Sequence, residues 1–280
     1  MATIDAHHHF WDTTRYQYPW MTAELDRIRR PFSPADLQPH LAATDVVGTV
    51  LVQTRADLDE TREFLRIAAD NAFVCGVVGW VDLTDPAVTD VLGEIRTDKL
   101  AAIRHQVHDE ADPEWLLRPD VRRGLAAVAD AALVYDLLVR TRELPAAITV
   151  VREMPNARFV LDHLAKPPFV SGDLHAWAAE VRELARSENV VAKLSGLVTE
   201  ADWKSWTPQT LQPAVDVALE AFGPQRLMFG SDWPVCLVAA SYEQVHQTAQ
   251  QLTAALSESE RMEVFSQTAI RSYALTPSSL

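Results

Sequence analysis

Five side chains carry the most chemical potential: His7, His9, His163, Asp232 and, in a supporting position, Lys193. His7 and His9 belong to the run His7-His8-His9. If that run is extended, residues i and i+2 share a face, so His7 and His9 point one way and His8 the other. Two imidazoles on one face make half of a divalent metal site or a polar clamp on a substrate. Asp232 follows the apolar stretch Leu227-Met228-Phe229-Gly230-Ser231. A carboxylate there either caps a helix or serves as a general base, and Pro234 two residues on suits a helix start. Gly230, on the same face, predicts open space beneath that carboxylate. His163 lies in Asp162-His163-Leu164-Ala165-Lys166, three residues before Lys166-Pro167-Pro168.

These residues need a scaffold that brings chain-distant positions together. Eight short apolar runs read as strands: residues 4–10, 48–54, 74–81, 100–107, 133–139, 158–163, 190–197 and 227–231. Amphipathic stretches at 57–71, 86–97, 113–129, 144–154, 174–187 and 210–222 read as the helices between them. Pro113 and Pro208 sit near helix starts, where a missing N–H costs nothing. Strands alternating with helices imply a parallel sheet with right-handed crossovers, and eight such units fit a (β/α)₈ TIM barrel. The alternative is an open doubly wound sheet. No Gly-x-Gly-x-x-Gly follows the first strand, which disfavours a dinucleotide-binding version, and 9 glycines leave no phosphate-binding P-loop. No linker divides the chain, so residues 1–280 are expected to form one barrel domain with a short C-terminal helix at about 258–274.

In either architecture the site lies at the carboxyl ends of the strands. Those ends are polar: His7 and His9, then Gln53 and Arg55, Trp80 and Asp82, Arg104 with His105 and His108, Asp136, Asp162 and His163 with Lys166, Lys193 and Ser195, and Asp232. Buried parallel strands are otherwise apolar, so this is not a packing pattern.

Composition bounds the partners. The 280 residues carry 25 Lys plus Arg against 39 Asp plus Glu, a formal net charge of −14. Nucleic acid and anionic membrane both reward clustered Lys/Arg and are disfavoured. No run approaches the roughly 18 apolar residues of a membrane span. The start of the chain lacks a basic and apolar leader pattern. Cys75 and Cys236 are two isolated cysteines in apolar surroundings, which points to reduced thiols in a cytoplasmic protein. Hydrophobic residues at 48% and charged residues at 23% are ordinary for a globular chain.

The segments Ile4-Asp5-Ala6-His7-His8-His9-Phe10-Trp11-Asp12, Ile103-Arg104-His105, Leu161-Asp162-His163-Leu164-Ala165-Lys166-Pro167, Val191-Ala192-Lys193-Leu194-Ser195-Gly196-Leu197 and Phe229-Gly230-Ser231-Asp232-Trp233-Pro234 together resemble the amidohydrolase superfamily. More narrowly they resemble its sugar-lactonase branch, which includes the L-fuconate, L-rhamnonate, 4-sulfomuconate and pyrone-dicarboxylate lactonases. The resemblance implies a (β/α)₈ barrel that hydrolyses a cyclic ester, such as L-fucono-, L-rhamnono- or galactonolactone. It implies His7, His9, His163 and Asp232 as catalytic residues, with Asp232 as general base. It implies one divalent metal, Zn or Mn, on His7, His9 and Asp232, or metal-free catalysis. The strand-four lysine and strand-five histidine of two-metal members are missing here, so a two-metal site is not expected. Arg104, Lys193, Arg55, Trp80 and Lys166 are expected to bind substrate, with Trp11, Trp80 and Trp233 as an apolar wall. The alternative within the superfamily is a metal-dependent, non-oxidative decarboxylase of an unsaturated or aromatic acid. The partner is a small-molecule lactone, and a homo-oligomer stays open.

Overall fold

The computed structural model describes residues 2–277. Eight strands form one parallel sheet in sequential order: β1 Thr3–His8, β2 Val46–Val52, β3 Val74–Gly79, β4 Leu100–His105, β5 Val134–Leu137, β6 Arg158–Leu161, β7 Val190–Leu194 and β8 Leu227–Phe229. All eight expected strands are present, each ending sooner than its apolar run. The remainder of each run is the loop that carries the polar residues. The seam between the first and last strands closes beyond β8, where His8 bridges Trp233 in parallel. The result is the (β/α)₈ barrel.

Helices α1 Pro34–Ala43, α2 Leu58–Asp70, α3 Val88–Glu94, α4 Pro119–Asp130, α5 Leu144–Glu153 and α6 His175–Ala185 cover the first six crossovers. A short α7, Leu197–Glu200, and α8, Pro208–Phe222, follow β7. After β8 come α9 Tyr242–Leu252 and a C-terminal segment of α10 Glu258–Met262, a π-helical turn Glu263–Gln267 and α11 Thr268–Tyr273. Pro208 is the first residue of α8 behind the Thr207 cap. Pro113 starts no helix; residues 115–117 form a 3₁₀ turn, and Pro119 opens α4.

Two apolar layers hold the barrel. The larger packs helices against the outer strand faces, with Trp177, Phe222, Phe229 and Phe265 among its members. The smaller fills the barrel interior with Ile4, Ala6, Val50, Val78, Val134, Val160 and Met228, and Tyr273 and Leu275 of the C-terminal segment close it from below. Cys75 and Cys236 are free and buried. Among the described residues no helix is long and apolar enough to cross a membrane.

Candidate active site

The barrel seam builds the site. The Asp232 amide donates to the His7 carbonyl at 2.8 Å, and the His9 amide donates to the Trp233 carbonyl at 2.7 Å. Chain-distant His7, His9 and Asp232 are thereby adjacent. The register of β1 shifts between Asp5 and His8, the signature of a bulge. A regular strand would leave Ile4 and Ala6 on the face opposite His7. The bulge instead places Ala6 in the barrel interior while His7 still turns toward the site. His8 points away and meets Thr49 Oγ1 at 2.9 Å. Asp5 locks the bend: its Oδ1 accepts from the Ser231 amide at 2.8 Å and the His7 amide at 3.2 Å, and its Oδ2 from the Tyr242 hydroxyl at 3.0 Å. Burial, working against those bonds, pushes the Asp5 carboxyl up to about 6.

Three imidazoles surround one carboxylate oxygen. Asp232 Oδ1 lies 3.4 Å from His9 Nε2, 3.8 Å from His7 Nε2 and 4.0 Å from His163 Nε2. Burial works to raise the Asp232 pKa, but His163 and His9 outweigh it and hold it below the usual carboxylate range. It is therefore ionised near neutrality. Burial lowers His163 to about 4, so this ring is neutral there. His163 Nδ1 is fastened to Ser195 Oγ at 2.8 Å.

The backbone is strained where these groups sit. His163, Leu164, Ala165 and Lys166 all have positive φ, and so does Asp232 at 57°. Non-glycine residues rarely adopt that region, and such strain persists where surrounding contacts enforce it. Asp232 caps no helix with its side chain. Gly230 does not leave space beneath it either: a Cβ there would lie 2.7 Å from His7 Cβ and 3.1 Å from Ser195 Cβ. The glycine is needed for close packing.

A buried ionic layer underlies the imidazoles. Arg104 donates to Asp162 Oδ2 at 2.9 Å and to the Gln53 carbonyl at 2.5 Å. Lys193 contacts Asp136 Oδ2 at 2.6 Å, Asp162 Oδ1 at 2.9 Å and His7 Nδ1 at 3.1 Å. Tyr273 donates to Asp136 Oδ2 at 2.7 Å. Burial works to raise Asp162, yet Lys193, His7 and Arg104 together hold it well below its ordinary value.

Above lies a cleft of about 490 Å³, lined by His9, Arg104, His163 and Asp232 at its floor and by Trp20, Gln106, His108, Arg140, Lys166 and Trp203 around it. Of the residues expected to bind substrate, Lys166 and Arg104 line this cleft. Lys166 is paired with Glu200. Arg104 is nearly buried and committed to Asp162 and Gln53. Lys193 is fully buried beneath the floor, so its expected substrate contact is replaced by a contact to His7. Arg55 stands aside, paired with Asp57 and Glu60 and stacked on Tyr16, by a separate pocket of about 170 Å³. Trp80 donates to His105 Nδ1 and is also outside the cleft.

The expected aromatic wall is likewise different. Trp11 and Trp233 are core residues. Trp20 and Trp203 stand in the cleft, each pinned by its indole N–H to a backbone carbonyl, Thr54 and Thr199 respectively. Trp20 lies in an irregular loop and Trp203 in a turn before α8, so no periodicity marked them. The Asp202 carboxylate that builds the second turn, accepting from the Lys204 and Ser205 amides, was its one local signal.

The donor set suits a divalent cation. His7, His9 and Asp232 each offer one atom, all within 4.8 Å of one another. The separations of 3.2, 3.4 and 3.8 Å are close to the ~3.3 Å between tetrahedral ligands at zinc bond lengths. His9 Nδ1 donates to the Val52 carbonyl at 2.7 Å, which leaves its Nε2 lone pair facing the centre.

The family described as Amidohydrolase matches residues 4–275. The chain is 42% identical to an L-fucono-1,5-lactonase of Burkholderia multivorans, over 97% of this chain and 96% of that protein. A crystal structure of an amidohydrolase from Burkholderia multivorans with bound zinc superposes with a TM-score of 0.94 at 41% identity, covering 99% of this chain and 100% of that one. A 5-carboxyvanillate decarboxylase from Sphingomonas paucimobilis shares the fold alone, at a TM-score of 0.67 and 14% identity, covering 98% of this chain and 99% of that one.

Proposed function

The chain belongs to the amidohydrolase family, and from that premise we propose that it hydrolyses a sugar-acid lactone, with L-fuconolactone the first candidate. The kinship with an L-fucono-1,5-lactonase over nearly the whole chain supports the reaction. One observation carries the site: an ionised carboxylate, Asp232, stands within 4.0 Å of three imidazole nitrogens at the floor of a cleft.

In this reading the Asp232 carboxylate takes a proton from water as the water oxygen attacks the lactone carbonyl carbon. Negative charge develops on the carbonyl oxygen, where His163 at the cleft floor provides a preorganised N–H donor. The ring C–O bond then breaks, and Asp232 returns its proton to the leaving alkoxide. One water is consumed and an open-chain hydroxy acid is formed. The low Asp232 pKa makes it a weak base but a strong acid toward the alkoxide. Trp20 and Trp203 flank the sugar ring, and Gln106, His108, Arg140 and Lys166 meet its hydroxyls.

His7, His9 and Asp232 would hold a divalent ion, and the zinc in the related structure favours that metal. Bound there, it supplies Lewis acidity that polarises a carbonyl oxygen and acidifies water. A cytoplasmic location is part of the proposal, supported by two free, buried cysteines. The reading is tested with a panel of aldonolactones, following acid release with a pH indicator.

A further inference from the structure

We propose that Lys193 is a positioning residue that sets the tautomer of His7, placing the ring proton on Nε2, where it faces His9 and Asp232. His7 Nδ1 stands between two opposed partners. Lys193 Nζ, at 3.1 Å, carries only donors and needs a bare Nδ1. Asp162 Oδ1, at 3.5 Å, carries only acceptors and needs an Nδ1–H. The shorter contact belongs to Lys193.

Two further observations favour the same assignment. Lys193 is held from below: Asp136 Oδ2 accepts from it at 2.6 Å and also from the Tyr273 hydroxyl at 2.7 Å. Tyr273 reaches this point from α11, so the C-terminal segment braces the lysine under His7. On the other side, His9 Nδ1 donates to the Val52 carbonyl, leaving His9 Nε2 as a lone pair. That lone pair lies 3.2 Å from His7 Nε2. Two bare nitrogens at that distance would repel, whereas an Nε2–H on His7 makes the contact a hydrogen bond. Arg104 Nη1, which carries only donors, faces the same His7 Nε2 at the longer 3.4 Å; the shorter contacts form one chain: Lys193 to His7 Nδ1, His7 Nε2–H to His9 Nε2, His9 Nδ1–H to Val52.

Asp162 holds the other tautomer in reserve. Its buried Oδ1 is ion-paired with Lys193 at 2.9 Å and lies 3.5 Å from His7 Nδ1. A proton moved to His7 Nδ1 would find it and free the Nε2 lone pair for a cation. The buried pair Lys193 and Asp162 therefore decides whether His7 acts as donor or ligand. The catalytic consequence rests on the lactonase reading; the tautomer does not.

The test is nitrogen NMR of chelator-treated protein labelled at histidine, with His7 assigned from its loss in His7→Asn. In the unaltered protein, His7 is expected with Nε2 protonated and Nδ1 bare. In Lys193→Met the proton is expected to move to Nδ1. An Nδ1–H on His7 in the unaltered protein overturns the proposal, and so does a folded Lys193→Met with an unchanged His7 signal. If Lys193→Met does not fold, the unaltered protein alone decides. Because no turnover is read, the outcome is independent of which substrate the cleft takes.

Discussion

A methyl group on Gly196 would sit 2.6 Å from Nδ1 and 2.8 Å from Cγ of His163. The residue after Ser195 must therefore lack a side chain for the imidazole to seat, and its φ of +65° favours glycine independently. Gly196→Ala is expected to push His163 from Ser195 and lower kcat at least ~10-fold, as removal of an oxyanion donor does. The left-handed backbone adds roughly 1–2 kcal/mol of destabilisation. Steady-state kinetics and urea unfolding on one preparation check both. An unaltered kcat would remove His163 from the reaction.

The cleft walls should act on binding more than on chemistry. Trp20 and Trp203 flank the opening and touch none of the groups around Asp232 Oδ1 in the hydrogen-bond network. Trp20→Ala and Trp203→Ala are each expected to raise KM about 10-fold or more, with a smaller change in kcat, the pattern of lost uniform binding. A fall in kcat at constant KM would move these residues into the chemical step.

Metal binding makes a separate prediction. Zinc titration of chelator-treated protein is expected to fill one site per chain through His7, His9 and Asp232. His9→Asn should weaken it on the order of 10-fold or more, at least as much as loss of an outer-shell partner. Isothermal calorimetry reads both stoichiometry and affinity. Equal affinity in the variant would locate the ion elsewhere.

Acid should destabilise the fold through buried neutral histidines. Burial lowers His8 and His108 to about 3 and His163 to about 4, against an ordinary 6.5. As pH falls below 6.5 the unfolded chain takes up these protons first, so stability drops across the window down to about 3–4. Asp5, raised to about 6, acts in the opposite sense between pH 6 and 4. Each histidine contributes a slope of about 1.4 kcal/mol per pH unit. His8→Gln should flatten the pH dependence of urea unfolding between pH 6 and 4 by about that amount. Equal slopes would show that His8 is charged in the folded state.

Much of this was legible because barrel strands are short and apolar and their ends are not. The pairing of His7 with His9 followed from strand alternation, although the bulge at β1 did not, since nothing in Ile4-Asp5-Ala6 marks a register shift. α1 was missed: Pro39 lies inside it, and only its Ser33–Asp36 capping box marks the start. α9 is likewise marked in the sequence only by its Ser241 capping box. Lys193 differs from its expected place for a physical reason. A lysine at a strand end reads as a substrate contact, and only the folded structure brings Asp136, Asp162 and Tyr273 around it. The cleft tryptophans lie in loops, where sequence period carries no information.

The central claim is that Asp232 moves the proton in lactone opening. Asp232→Asn preserves size and the backbone bond to His7 while removing the base. With an aldonolactone panel led by L-fuconolactone, the unaltered protein is expected to release acid and a folded Asp232→Asn to lose at least ~10²-fold in kcat. Hydrolysis by Asp232→Asn at the unaltered rate, or no lactone opened by the folded unaltered protein, would contradict the account.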